Sequence, residues 1–285
     1  MSVATLPSDR DFSGTRGAAE VSFRLADGIS RLDRLYHTDP LKVLFPTPPA
    51  GEPPLAAIVT TAGGLVGGDE LTLDASVDAG ASAMVVAQAA EKVYRSSGAD
   101  CHVAVRLTAA TGAWLEWLPQ ETILFEGARL RRLTLIDRDP GGRILAGEMM
   151  MFGRLARGER MTKGLVRDAW EVRRAGRLIW ADALHLADDV SGVLMGPACF
   201  GGAVACATAV YAADDAAERL SLARQCLGEG NPSLRCGATV VNGVLVVRWL
   251  GRDAKILRDG FGKFWAAFRA GAAGLPEKLP RLWSV

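Results

Sequence analysis

The amino-acid sequence predicts a mostly β protein with two α-helices in its C-terminal third. Three observations carry that prediction. Apolar and polar residues alternate with period two along many short segments, the mark of a half-buried strand. Nearly every such segment stops at a glycine-containing turn. Helical spacing, by contrast, is confined to the region after residue 213.

Taken in order, residues 1–20 are polar and glycine-containing, and a loose tail or edge strand is expected there. Val21, Phe23 and Leu25 then alternate with Ser22 and Arg24. Five prolines between Pro46 and Pro54 make that stretch an extended loop. Leu55–Thr61 is a short apolar run ending at Gly63-Gly64. Leu71, Leu73, Ala75 and Val77 alternate up to Ala79-Gly80, and Ala81–Ala90 reads as a buried strand. Val103, Val105 and Leu107 repeat the pattern up to Thr111-Gly112. Trp114–Phe125 follows, rich in apolar residues yet carrying Glu116, Gln120 and Glu121 around Pro119. Proline lacks an N–H and disfavours the α region at the residue before it, so this stretch reads as strand, corner, strand. Leu133 and Leu135 lead to the turn Asp139-Pro-Gly-Gly142, and two strands meet at Ala175-Gly176. Val190–Ala213 is 24 residues without a charge, long enough to span a bilayer. Its Gly-Pro and Gly-Gly pairs and acidic flanks instead favour two buried strands joined by a glycine-rich loop. One helix is expected after Asp214 or Asp215 as cap, a second along Leu257, Phe261, Phe264, Trp265 and Phe268. Between them Asn242-Gly243 signals a hairpin.

Composition excludes several function classes. The net charge of +1 over 285 residues argues against nucleic-acid binding. Five cysteines without a CxxC pair fit a reducing compartment, so a cytoplasmic location is expected. No apolar segment follows a basic N-terminus, so no signal peptide is expected. Gly63-Gly64-Leu-Val-Gly67-Gly68-Asp69 lacks the Gly-Lys-Ser/Thr ending of a phosphate loop, and a strand rather than a helix follows it. Asp69 is read as a turn cap. His37, His102 and His185 are scattered, and no cysteine spacing matches a structural zinc site. No nucleophile elbow is present. Glu116 and Glu121 are a carboxylate pair for which a structural salt bridge competes with acid–base chemistry in a β-rich hydrolase. Residues 126–177 carry 13 Lys/Arg against 7 Asp/Glu, and Arg154, Arg157 and Arg160 belong to this basic stretch, as does Tyr94-Arg95 by character. A solvated face or an acidic partner surface would explain it.

Four ordered motifs then point to one family. They are Gly63-Gly-Leu-Val-Gly-Gly-Asp69, Gln88-Ala-Ala-Glu-Lys-Val-Tyr-Arg-Ser96, Leu115-Glu-Trp-Leu-Pro-Gln-Glu-Thr-Ile-Leu-Phe125 and Gly153-Arg-Leu-Ala-Arg-Gly-Glu159. With the closing Leu279-Pro-Arg-Leu-Trp283, they resemble the urease accessory protein UreD family, also called UreH. Glu91 is a departure, since the family's stretch is expected to carry a threonine near that position. The resemblance implies one domain over residues 1–285 with stacked, β-helix-like sheets. It also implies a non-enzymatic role, with no tightly bound cofactor. It implies the partners UreF, the GTPase UreG and apo-urease, and delivery of nickel that passes transiently through the interior. Asp69, Glu121 and Glu148 are the candidate residues of such a path. Glu148 comes first, a lone acid in an apolar run beside three methionines. Tyr94, Arg95, Glu116, Gln120, Arg154, Arg157 and Glu159 are the candidate partner or motif residues. A plain scaffold without a nickel path is the alternative within the same family.

Overall fold

The computed structural model describes residues 14–228 and 231–283. It opens with β1 (Arg16–Ala26), β2 (Ile29–His37), β3 (Leu41–Leu44) and β4 (Leu55–Thr60). The expected tail is corrected here. Residues 1–13 lie outside the described residues, but Arg16–Glu20 belong to β1, which is an interior strand between its neighbours. Ala19, Val21 and Phe23 alternate inward there and drive that placement.

From Glu70 onward the chain coils. It passes between two sheets in the order β5 (Glu70–Val77), β6 (Ser82–Ala87), β7 (Glu91–Val93), β8 (Cys101–Ala109), β9 (Trp114–Leu118), β10 (Thr122–Leu124), β11 (Arg129–Arg138) and β12 (Arg143–Phe152). Strands β5, β8 and β11 stack in parallel in one sheet, and β6, β9 and β12 in the other. The crossings are made at Gly80, Gly112 and Gly141, all with positive φ. These turns also stack. The Gly80 N–H donates to the Thr111 carbonyl at 3.1 Å and the Gly112 N–H to the Gly141 carbonyl at 3.2 Å. The recurring glycines in the sequence are thus the edge of a β-solenoid.

The last strands close both sheets: β13 (Lys163–Arg174), β14 (Arg177–Asp189), β15 (Ala205–Ala212), β16 (Leu234–Val241) and β17 (Val244–Gly251). One sheet has seven strands, ordered β14-β13-β11-β8-β5-β1-β2. The other has ten among the described residues, with β16-β17-β15-β12-β9-β6-β4-β3 as its main path, β10 pairing with β12 and β7 with β10. Asn242 and Gly243 both take positive φ, as the two-residue hairpin between β16 and β17 requires. The first half of the uncharged run is corrected: Val190–Met195 forms helix α1 rather than a strand. Asp189 caps it by accepting the Gly192 N–H at 2.9 Å. Helix α2 spans Leu220–Leu227 and starts later than expected. Neither aspartate caps it, because Asp214 accepts from Arg138 and Asp215 accepts from Tyr211 and Arg219. Helix α3 spans Ala254–Ala273, with the aromatic stripe buried. No helix among the described residues is long and apolar enough to cross a membrane.

Two cores result. One lies between the sheets and the other between the ten-stranded sheet and α2 and α3. Period two decides which side chain enters which. On β9, Leu115 and Trp117 face the sheet-to-sheet core, while Trp114 and Leu118 face the helices. On β12, Ala146 and Met150 face the first core, and Met149 and Met151 the second. Glu148 therefore points between the sheets and Glu116 toward α3.

Candidate functional site

Between the sheets the core opens into a cavity of about 220 Å³, lined by aliphatic side chains and by a set of polar ones. Its lining includes Thr60, Gln88, Glu91, Trp117, Gln120, Thr122, Arg132 and Glu148. Strand β11 delivers Arg132 from one sheet and β12 delivers Glu148 from the other. The two pair at 2.6 Å with 5% and 3% side-chain exposure. Arg132 Nε also donates to Asp168 at 2.7 Å and Nη1 to the Thr122 hydroxyl at 3.0 Å. Trp117 Nε1 donates to Glu148 at 3.0 Å. Burial pushes the Glu148 carboxyl up to about 7, against the pull of Arg132. Burial also works against the charge of Arg132, yet Asp168 and Glu148 outweigh it and hold the guanidinium protonated. Its buried Nη2 has no hydrogen-bond partner among the described residues.

The glycine-rich loop and β7 form the mouth. Gly63 and Gly64 line the cavity together with Glu91 and Lys92. Gly64 sits at φ +143°, and a Cβ there would stand 2.6 Å from the Lys92 carbonyl oxygen and from the Tyr94 ring. Tyr94 donates its hydroxyl to the Gly63 carbonyl at 2.9 Å and packs edge-on against Phe125. Glu91 accepts from Thr60 Oγ1 at 2.9 Å, and burial raises its pKa against that hydrogen bond. The position where the sequence departs from its expected pattern thus supplies a carboxylate to the cavity.

The remaining candidates are placed elsewhere. Asp69 is buried but serves the loop, accepting the Thr15 and Val66 N–H groups at 2.8 Å each. Glu121 accepts from Arg258 at 3.2 Å, outside the cavity lining. The expectation that Glu148 has few partners is corrected. Its local sequence is apolar, but Arg132 and Trp117 arrive from other strands. Glu116 is fully engaged by Trp114, Trp265 and Arg269. Gln120 bonds to Arg258 and to the Leu282 carbonyl. The Trp283 indole donates to the Leu118 carbonyl at 3.4 Å, so the closing motif packs on the Pro119 corner. Arg154 pairs with Glu159 and stacks over Phe125 at 4.5 Å, while Arg95 and Arg157 are exposed. Among the described residues no three His, Cys, Asp or Glu side chains gather as a metal cage.

The family model for the UreD urease accessory protein matches residues 15–284. The urease accessory protein UreD of Magnetococcus marinus is 48% identical, covering 100% of this chain and 99% of its own length. Those of Brucella suis and Xanthobacter autotrophicus are 40% and 42% identical over 98% and 95% of this chain, and over 99% and 90% of their own lengths. This chain belongs to the UreD family.

Glu91 and Arg132 of the cavity lining, and the Asp168 that pairs with Arg132, are residues of this UreD-family chain that the sequence did not mark as site candidates. Arg132 carried a signal. Inward positions Leu130, Thr134 and Ile136 flank it at period two, so a charge on that face called for a buried partner. The partner itself was not readable, because Glu148 and Asp168 come from two other strands.

Proposed function

We propose that this chain is a non-enzymatic urease maturation factor that docks on apo-urease with UreF and UreG and lets nickel pass through its interior cavity. The observation that carries the reading is the cavity itself, with the Glu91 and Glu148 carboxylates and amide and hydroxyl oxygens of Gln88, Gln120, Thr60 and Thr122 around it. A passage has to bind a cation well enough for entry and weakly enough for release. Scattered oxygen donors meet that condition better than a thiolate or imidazole cluster, which holds nickel tightly. Arg132 offsets part of the negative charge there through Glu148 and Asp168. An acid–base hydrolase built on Glu116 and Glu121 has less support, since separate arginines hold the two carboxylates.

A scaffold without a nickel path is favoured by one observation, the complete pairing of Glu148 by Arg132 and Trp117. Isosteric substitutions separate the two. Glu91→Gln and Glu148→Gln preserve volume, and Arg132 keeps Asp168 and Thr122. With UreF, UreG and apo-urease, both variants are expected to assemble normally while the nickel content of the urease falls. Asp69→Asn and Glu121→Gln, outside the cavity, serve as controls. Full nickel loading by the Glu91→Gln, Glu148→Gln double variant would support the scaffold and remove the passage.

A further inference from the structure

Of the basic stretch 126–177 the cavity takes Arg132, whereas Arg160 lies apart from it beside two arginines from later in the chain. At one end of the sandwich, a depression of about 750 Å³ is lined by Arg160, Arg235, Arg252 and Met195, with the Gly201-Gly202 turn. Arg235 Nη2 donates to the Phe200 carbonyl at 2.6 Å, and Arg252 Nη2 donates to the Gly201 carbonyl at 2.9 Å. Two guanidiniums therefore grip one loop from two strand ends. Gly201, at φ +57°, allows that approach, because a Cβ would stand 3.0 Å from Arg235 Nη2. The heads are thereby held in place with donors to spare, which lowers the ordering cost of a further contact.

Nearby acids among the described residues are engaged elsewhere. Asp253 caps α3 by accepting the Ile256 N–H, Asp189 caps α1, and Glu159 is taken by Arg154 and the Glu126 N–H. Among the described residues, none of the three arginines lies within 4.0 Å of a carboxylate. Beside them Met195 is 68% exposed, the highest value of any large apolar side chain among the described residues. Arginine and methionine together, without compensating acids, are the composition that protein interfaces enrich.

We propose that this depression is a docking site for an acidic segment of a partner protein, whose carboxylates meet Arg235, Arg252 and Arg160 and whose apolar side chain covers Met195. A small free anion would use the arginines but leave Met195 in water, so the pairing of the two features favours a protein segment. The surface is separate from the cavity, and its test needs neither urease nor nickel.

The probe is a fluorescein-labelled peptide of glutamates around a central leucine, titrated onto the full chain by fluorescence anisotropy, with a glutamine counterpart as control. The glutamate peptide is expected to bind, more weakly as salt rises, and the glutamine peptide to fail. The Arg235→Glu, Arg252→Glu double variant is expected to weaken binding by roughly ten-fold or more. Arg160→Glu, at a side chain with no hydrogen bond among the described residues, and Met195→Ser are each expected to weaken it several-fold with unchanged melting temperature. Binding indifferent to Arg160→Glu and to the double variant would overturn the proposal. So would full displacement by inorganic phosphate together with indifference to Met195→Ser, which would make this a small-anion site.

Discussion

Glu148 is an acid that folding carries into a place where ionisation is costly. Its carboxyl rises from an ordinary 4.5 to about 7 because burial strips its water, and Arg132 only partly offsets that. Between those two values the folded protein holds a proton that the unfolded chain has lost. Stability contributed by this group is thus full below about pH 4.5 and lost as pH rises through about 7, by at most about 3 kcal/mol. Urea unfolding of Glu148→Gln from pH 5 to 8 is expected to show a flatter profile than the unsubstituted chain. Identical profiles would mean that Arg132 keeps Glu148 ionised throughout. Legibility at this scale was partial. The identity of Glu148 as an acid in an apolar strand stood in the sequence, whereas Arg132 and Asp168 came within bonding distance only through pairing of β11 with β13 and packing of the two sheets.

At the scale of elements, the glycine-rich loop shows why a short motif tolerates little. Leu65 donates its N–H to the Lys92 carbonyl at 2.7 Å, and Tyr94 returns an N–H to the Leu65 carbonyl at 2.8 Å. Gly64 lies against the same Lys92 carbonyl with positive φ. Gly64→Ala is expected to cost about 1–3 kcal/mol through strain and overpacking, and to loosen the cavity mouth. Hydrogen exchange reports it: the Leu65 and Tyr94 amides should lose protection before those of β9 do. Unchanged protection would mean the mouth relaxes without cost. Strands were legible where one face is buried, since alternation and glycine turns mark them directly. Helix α1 was not legible, because a short apolar run looks the same for strand and helix until its cap and neighbours are known.

Across the whole molecule, one buried arginine joins parts far apart in sequence. Arg269 of α3 bonds to Glu116 on β9, to Glu52 in the proline-rich loop, and to the Pro276 and Lys278 carbonyls of the C-terminal segment. It is fully buried, and so is Glu116. Removing one partner leaves the other charge stranded. Arg269→Ala is therefore expected to destabilise the chain by about 3–5 kcal/mol in urea titration. Arg269→Ala combined with Glu116→Leu should recover part of that loss. If the combination is as unstable as the sum of the single changes, the two side chains are not coupled as the geometry indicates.

By itself the sequence determined the strand-rich class, the kink at Pro119, the Asn242-Gly243 hairpin, the α3 stripe and, through its ordered motifs, the family. These are local properties: side-chain period, proline and glycine stereochemistry, and short runs of neighbours carry them. Which carboxylates share a space was decided by tertiary structure alone. Glu116 and Glu148 look equivalent as acids in apolar strands, yet pleat and sheet stacking send one to Arg269 under the helices and the other to Arg132 between the sheets. That division depends on strand register and on partners that approach from distant parts of the chain, which no local pattern encodes.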